Sequence, residues 1–545
     1  MNLQPQRFSP LGRVSDFLMN RPFWGLFTLS FLGYFTSLRN GFMLDDYLVL
    51  FNESGVSNKT FFALFTEYQH IVYRPFGHLP LWIFYQLFGT NAAAYHIANL
   101  FLFAAVCFLF FKITESLFAS RPLAYLTAVL YALHPANNML VNYVTANILS
   151  TFILTLQLSF LSAIYYLNSS QKKHLVLSLL FFLLSLFSHE MSMIYPAYVF
   201  CLVYFLRGFG IKRSLAFVLP YIGIAVLYFC FRMEFFSLKG SATAVFAVIH
   251  VFDAYISSIM ALIYWYLAKM IFPRDIIFLW TAVIEEHYNP FEVYRLAGII
   301  AVIGYLVFFR WKKGPKPFAL SIFVIGLAPV FWASYAHFPF AEPLIEPHWF
   351  YFSSLGGFIL LAQGILWLKE KVRLPLWRAL VGAVMLMYLV LLQQNNLYWR
   401  SQETYCRLWI SENGANTTPF YGMGQVFLSR GDYQQATSYL GRGFTLSRRY
   451  KSAFLSADVG YAYLQSGDTE NAGKYFNAAI KREPRYSVTY YYLGLLAWQQ
   501  GDKAAAEQLF SKALGLYPKS KIYNKELALI RTGQAPRGIY PLLNP

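Results

Sequence analysis

Long apolar runs decide what this chain can be. Leu175–Phe187, Ser214–Cys230, Leu296–Phe309 and Trp349–Leu368 lack the polar face that an amphipathic helix in water needs. Of the 545 residues, 57% are hydrophobic and only 13% charged, about half the charged share of an ordinary soluble protein. The expected class is an all-α polytopic membrane protein. Apolar runs recur near 22–38, 93–111, 122–138, 147–167, 174–188, 191–206, 214–231, 256–272, 296–309, 317–335, 349–368 and 375–393.

Charge in the breaks between runs orients them, because Lys and Arg in short loops stay cytoplasmic. Gln171-Lys172-Lys173, Arg207 with Lys212-Arg213, Arg310-Trp311-Lys312-Lys313 and Lys369 to Arg373 mark that side. The alternate breaks hold Asp45-Asp46, His134 to Asn147, His189-Glu190, Glu285-Glu286 and Glu342 to His348, and face the opposite compartment. Run 256–272 spoils the alternation, and Lys269, Pro273, Arg274 and Asp275 mark it as interfacial or re-entrant. About eleven spans remain, with the N-terminus cytoplasmic and the C-terminus on the far side. Arg7, Arg13 and Arg21 precede the first run with no small-residue cleavage site after it, which reads as an uncleaved signal anchor. The net charge of +18 resides mostly in those breaks and in the C-terminal part, with no aromatic-and-basic stripe for nucleic acid. The four cysteines, Cys107, Cys201, Cys230 and Cys406, have neither disulfide nor zinc spacing.

Beyond Tyr398 the composition turns soluble. Gly431-Asp432, Gly467-Asp468 and Gly501-Asp502 recur at spacings of 36 and 34 residues. Tyr490, Leu493, Gly494, Ala497, Ala506, Phe510, Ala513 and Pro518 fall where a tetratricopeptide repeat places its packing residues, as do Val459, Gly460, Tyr463, Ala472, Phe476, Ala479 and Pro484. The unit at 417–450 is degenerate, keeping Ala436 but lacking the terminal proline. The expected domains are a transmembrane domain over 1–397 and an α-solenoid over 398–545, with three repeats across about 417–518 and Lys519–Arg531 as a capping helix.

Several polar groups are candidates for chemistry. Asp45 and Asp46 read blandly as a solvated loop. Their flanks, Phe42, Met43, Leu44, Tyr47, Leu48 and Leu50, instead press them against the membrane, where adjacent like charges are costly unless a cation or a transferable proton uses them. Arg74, between His70 and His78, suits an anionic substrate group, or is an interfacial side chain reaching to water. His134-Pro135 reads as a helix end. His189-Glu190 fills a hairpin between two runs, where a carboxylate at membrane depth is a functional candidate and a turn also needs polar residues. Glu346 and His348 lie where an outer loop meets the run from Trp349 and are plausible substrate contacts.

The order of these motifs resembles the GT-C class of membrane glycosyltransferases. Within it, the chain is similar to the transmembrane and tetratricopeptide-repeat O-mannosyltransferases and their prokaryotic relatives. The likeness runs through Asp45-Asp46, Tyr73-Arg74-Pro75, Tyr95-His96-Ile97-Ala98-Asn99, Leu133-His134-Pro135, Ser188-His189-Glu190, the segment from Tyr266-Leu267 to Pro273, Tyr351-Phe352-Ser353-Ser354-Leu355-Gly356 and the repeats. It implies inverting transfer of a sugar from a polyprenyl-phosphate donor to an acceptor hydroxyl, on a protein Ser or Thr, at the non-cytoplasmic face. Asp45, beside Asp46, would be the catalytic base. Arg74, His189, Glu190 and His348 would serve the donor phosphate, and His134, Glu346 and Tyr351 the acceptor or pocket. The resemblance implies no required cofactor, although Asp45, Asp46 and Glu190 offer oxygen ligands to a divalent metal. Relatives carry Lys at the place of His189, Arg at that of Pro347, and Glu and Arg near Met139 and Asn147. Two other functions fit the same chain: a non-enzymatic repeat scaffold anchored in a membrane, and an envelope polysaccharide polymerase or ligase.

Overall fold

The computed structural model describes residues 20–51, 55–67, 73–236, 265–274, 276, 280–281, 298, 304–305, 313–327, 344–345, 347–414, 416–446 and 453–540. The chain divides into two compact units, Met1–Asn40 with Tyr73–Leu397 and Gly41–Val72 with Tyr398–Pro545. Residues 41–72, which the sequence reading includes in the domain over 1–397, thus cluster with the repeats.

The first unit is helical: α1 (Pro22–Tyr34), α2 (Pro75–Phe88), α3 (Ala92–Phe118), α4 (Arg121–Leu133), α5 (Asn147–Ser169), α6 (Lys172–Leu186), α7 (Tyr195–Cys201), α8 (Ile211–Phe236), α9 (Pro315–Gly326), α10 (Ser354–Lys371) and α11 (Leu374–Tyr398). Helices α1, α2, α4, α7 and α9 start with proline in the first turn, where its missing N–H costs nothing. α5 packs on α3 and α6 to form the centre, and α1 lies on α3. A short antiparallel pairing joins Trp280–Thr281 to Leu344–Ile345.

Among the described residues, four helical stretches are long and apolar enough to cross a membrane: Ala92–Phe118, Val144–Ser169, Ile211–Arg232 and Leu374–Tyr398. The expectation of about eleven spans is not met by length. α1 and α4 have 13 residues each and α6 has 15, short of the ~20 that a helix needs to cross a bilayer. The run at 191–206 is cut into a 3₁₀ turn, the seven residues of α7 and a π turn. α10 carries Lys369, Glu370 and Lys371 in its last turn. Runs 256–272, 296–309 and 317–335 lie partly outside the described residues. Within 256–272, residues 265–271 are helical and the chain leaves the helix at Phe272-Pro273.

The interior of this unit holds many polar side chains, and most bond backbone or one another. Asn40 Nδ2 donates to Asn142 Oδ1 (3.0 Å), Asn142 Nδ2 to Asn396 Oδ1 (2.8 Å), and Asn396 Nδ2 to the Gly33 carbonyl (2.8 Å). This relay ties the end of α1, the turn after α4 and α11 together. Gln157 Nε2 donates to the Val106 carbonyl (3.1 Å) and Asn147 Nδ2 to Asn99 Oδ1 (3.1 Å), joining α5 to α3. Where water is absent, only such bonds offset desolvation. Close approach does the rest. A Cβ on Gly356 of α10 would lie 2.1 Å from the Ala319 carbonyl of α9.

The second unit stacks α12 (Gln402–Glu412), α13 (Thr417–Arg430), α14 (Tyr433–Leu446), α15 (Ala453–Gln465), α16 (Thr469–Arg482), α17 (Ser487–Gln499), α18 (Lys503–Leu516) and α19 (Lys521–Arg531). The Gly-Asp pairs make the turns. Gly431, Gly467 and Gly501 adopt φ of 73°, 88° and 83°, a left-handed stop that other residues resist. Asp432, Asp468 and Asp502 then cap the next helix by accepting from the N–H groups of Gln435, Asn471 and Ala505 at 3.1, 3.0 and 2.9 Å. Helix pairs close on glycine: a Cβ on Gly460 would meet the Phe476 ring at 2.6 Å, and one on Gly494 the Phe510 ring at 3.0 Å. In the degenerate first repeat Gly424 faces Leu440 in the same way, at 2.4 Å.

Asp458 on α15 is fully buried and accepts from the hydroxyls of Tyr421 (2.9 Å), Tyr492 (3.3 Å) and Tyr540 (2.7 Å). Burial pushes its carboxyl up to about 7, against the pull of the three hydroxyls. A carboxyl raised above its ordinary 3.8 takes up a proton on folding. Its contribution to stability is therefore complete below the ordinary value and is lost as pH rises through the folded one. Asp458→Asn should remove that slope. In chemical unfolding the wild-type chain should lose stability relative to the variant by on the order of 1 kcal/mol per pH unit across that window, and parallel slopes would contradict it.

Candidate functional site

The acidic pair lies in the second unit, on a turn that its own bonds explain. Leu44 sits at φ 48°, a left-handed conformation uncommon for leucine, and its N–H donates to Gln402 Oε1 at 2.9 Å. Gln402 is itself held, its Nε2 donating to the Gly422 carbonyl (2.8 Å) and Gln425 Oε1 (3.2 Å). Asp46 is fully buried, and its Oδ2 accepts the Met43 N–H at 3.0 Å. The two aspartates therefore differ: Asp46 closes the turn, while Asp45 is half-buried beside it. A cleft of about 280 Å³ opens next to the turn, lined by Phe42, Tyr47, Glu403, Ser429 and Arg430 among others. Burial and then the charge of Asp46 raise the Tyr47 hydroxyl above its ordinary value. Glu403 receives Arg407 (2.7 Å) and Arg430 (2.6 Å), and their hydrogen bonds lower its carboxyl.

The basic candidate lies in the first unit, in a cluster of three charged side chains. Arg74 meets Glu190 edge-on, with Nε to Oε2 at 2.9 Å and Nη2 to Oε1 at 2.5 Å. Arg232, at the end of α8, donates from Nη1 to Glu190 Oε2 (3.2 Å) and to the Tyr228 hydroxyl (3.0 Å). Among the described residues, two guanidiniums face the one carboxylate of Glu190. The side chains of Arg74, Arg232 and Glu190 are 18%, 16% and 37% exposed, so the cluster is partly desolvated yet open. Burial alone would raise the Glu190 carboxyl, but Arg74, His189 and Arg232 outweigh it and hold it well below the usual carboxylate range. Among the described residues Arg232 bonds through Nη1 only, so its Nε and Nη2 remain for an anion.

Sequence-local packing builds this cluster. Pro75 opens α2, with Arg74 as the residue before it. Two residues on, a Cβ on Gly77 would lie 2.7 Å from the Ser188 carbonyl, so glycine lets α2 press against the hairpin that carries Glu190. The Phe76 N–H donates to the Phe187 carbonyl at 3.2 Å. Tyr73, Phe187, Tyr228 and Phe231 form an aromatic wall around the pair.

The other sequence candidates are placed as follows. His189 is buried against Phe152, and its Nδ1 accepts the Met191 N–H at 3.2 Å and lies 4.0 Å from Glu190 Oε2. His134 is buried apart from the arginines, in a nest of Phe350, Phe358 and Tyr388, with Nε2 3.3 Å from the Met270 carbonyl. Burial lowers it to about 3, so it is neutral at physiological pH. Tyr351 is buried, and among the described residues its hydroxyl has no hydrogen-bond partner. His348 has its backbone in the 3₁₀ turn Pro347–Phe350, its side chain lies outside the described residues, and so does Glu346. The structure thus brings together Arg74, His189 and Glu190, and adds Arg232, which sequence reading passed over. Its signal was a guanidinium directly after the apolar run 214–231. Among the described residues no three His, Cys, Asp or Glu side chains gather as metal ligands, and both Glu190 oxygens already face guanidiniums.

Residues 458–521 match the family model of the tetratricopeptide repeat. The second unit carries tetratricopeptide repeats. The match runs from within α15 to the start of α19 and takes in all of α16, α17 and α18. No curated protein matches the chain.

The arginine cluster depends on a glycine. Gly77→Ala should drive α2 from the hairpin at a cost of ~1–3 kcal/mol. The expected result is a lower unfolding temperature in detergent for Gly77→Ala than for Gly223→Ala, whose added Cβ meets nothing within 4 Å. Equal unfolding temperatures would show that the contact is not a constraint.

Proposed function

We propose that the chain is an integral-membrane glycosyltransferase that moves a sugar from a polyprenyl-phosphate donor to a hydroxyl of a polypeptide. The observation that carries this proposal is the pair of guanidiniums, Arg74 and Arg232, meeting at Glu190, in a unit with four stretches long enough to span a bilayer. A departing lipid phosphate needs little protonation but does need fixed positive charge in a partly dry site, and a pair of guanidiniums supplies it. α8 and α11 leave Leu219, Leu227, Leu386 and Val390 exposed, which suits contact with lipid.

In the reaction, the acceptor hydroxyl gives its proton to the Asp45 carboxylate as its oxygen attacks the anomeric carbon. The bond from that carbon to the phosphate oxygen breaks, and the lipid phosphate leaves with the electron pair. Attack in line inverts the anomeric configuration. Asp46 acts as a positioning residue, since its carboxylate closes the turn on which Asp45 sits. The repeats hold the acceptor polypeptide. The reaction face is the non-cytoplasmic one, with the N-terminus cytoplasmic and the repeats on the far side. A membrane-anchored scaffold is the second reading, and the repeat match favours it as much as it favours a transferase.

Membranes containing the chain should transfer label from a panel of polyprenyl-phosphate sugars to peptide acceptors. Asp45→Asn should lower turnover by ~10²–10⁴-fold, and Arg232→Ala should raise KM for the donor. Unchanged turnover in Asp45→Asn would remove the base from the mechanism. Absence of transfer from every donor, with repeats that still bind polypeptide, would leave the scaffold.

A further inference from the structure

The repeats already hold a segment of their own chain. α19 ends at Arg531, Gly533 turns the backbone at φ 78°, and residues 534–540 return along α19, α17 and α15. The contacts are chiefly to main chain. Glu526 of α19 accepts the Arg537 N–H at 2.7 Å. The hydroxyl of Tyr461 on α15 donates to the Gly538 carbonyl at 2.6 Å, and that of Tyr491 on α17 donates to the Ile539 carbonyl at 3.1 Å. Gly538 sits at φ 67°, which favours glycine there. One side chain then anchors the segment: Tyr540 stacks on Tyr461, with ring centroids 5.7 Å apart and planes 24° apart, and gives its hydroxyl to Asp458 at 2.7 Å.

This is how a groove reads an extended peptide, by backbone bonds for affinity and one aromatic anchor for register. The glycine-to-ring contacts that stack the helices, Gly460 on Phe476 and Gly494 on Phe510, do not involve the segment. A buried carboxylate that loses a donor must find another or accept the cost of desolvation. Without Tyr540, Asp458 keeps only Tyr421 and Tyr492, and a hydroxyl brought by another chain would restore the third bond.

We propose that residues 534–540 are an internal ligand of the repeats, displaced by an extended polypeptide segment of another protein that carries glycine two residues before a tyrosine. The inference concerns the second unit alone and stands whether or not the chain transfers sugar.

The test uses the full chain in detergent and a fluorescent peptide with the sequence of residues 534–540. An internal ligand lowers apparent affinity by the fraction of time the groove is open. A chain ending at Gly533, or Tyr540→Ala in the full chain, should therefore bind the peptide ~10-fold or more tightly than wild type. Replacing the peptide's tyrosine by alanine should abolish that binding. In wild type, excess peptide should increase hydrogen exchange at the Arg537 amide, which Glu526 holds. Three results would overturn the proposal: equal affinity for wild type and Tyr540→Ala, exchange unaffected by saturating peptide, or loss of the repeat fold in the shortened chain, which would make the segment a structural part of the stack.

Discussion

A polar group taken out of water has to be answered by another polar group, and both units are organised by that requirement. In the first, Asn142 stands at the centre of a relay from Asn40 to Asn396 and the Gly33 carbonyl. It joins three elements far apart in sequence with bonds that an apolar interior leaves without competition from water. In the second, Asp458 gathers hydroxyls from two flanking repeats and from the segment after α19. Neither hub is a surface decoration. Each is buried, and each sets which elements can be neighbours.

Small residues decide how closely those elements approach. Gly356 lets α10 lie on the backbone of α9, Gly77 lets α2 lie on the hairpin at Ser188, and Gly460 and Gly494 seat aromatic rings between paired helices. These contacts leave no room for a methyl group, so the helix faces that carry them are specified by steric exclusion as much as by attraction. The consequence for function is local. Gly77 and Phe76 bring α2 to the Phe187–Ser188 hairpin, and that approach makes the Arg74–Glu190 pair possible.

The cluster around Glu190 turns a sequence ambiguity into a defined electrostatic object. A carboxylate between two guanidiniums is held ionised and is less available as a base or a metal ligand, while guanidinium N–H groups suit an anion. The acidic pair on the second unit is divided in the same spirit. Asp46 is committed to the backbone of its own turn, and Asp45 keeps part of its surface. Two residues that look alike in sequence thus differ in burial, Asp46 fully enclosed and Asp45 half-buried.

Much of the local architecture was legible in the sequence. The Gly-Asp recurrences announced left-handed stops followed by helix caps, since only glycine reaches that φ cheaply and an aspartate is a strong cap. Apolar runs announced helices, and Pro75 the start of α2. What the runs could not reveal was length: 3₁₀ and π turns cut the run at 191–206 below what a bilayer needs, and those breaks depend on tertiary packing. Periodicity and turn chemistry are properties of neighbours in the chain, so the sequence by itself determined the repeats, the helical class and the candidate charges. Which charges meet is a property of neighbours in space. Only the tertiary structure decided that Arg232 joins Arg74 on Glu190, that residues 41–72 cluster with the repeats, and that Tyr540 closes over Asp458, because each of those contacts joins positions that no local pattern relates.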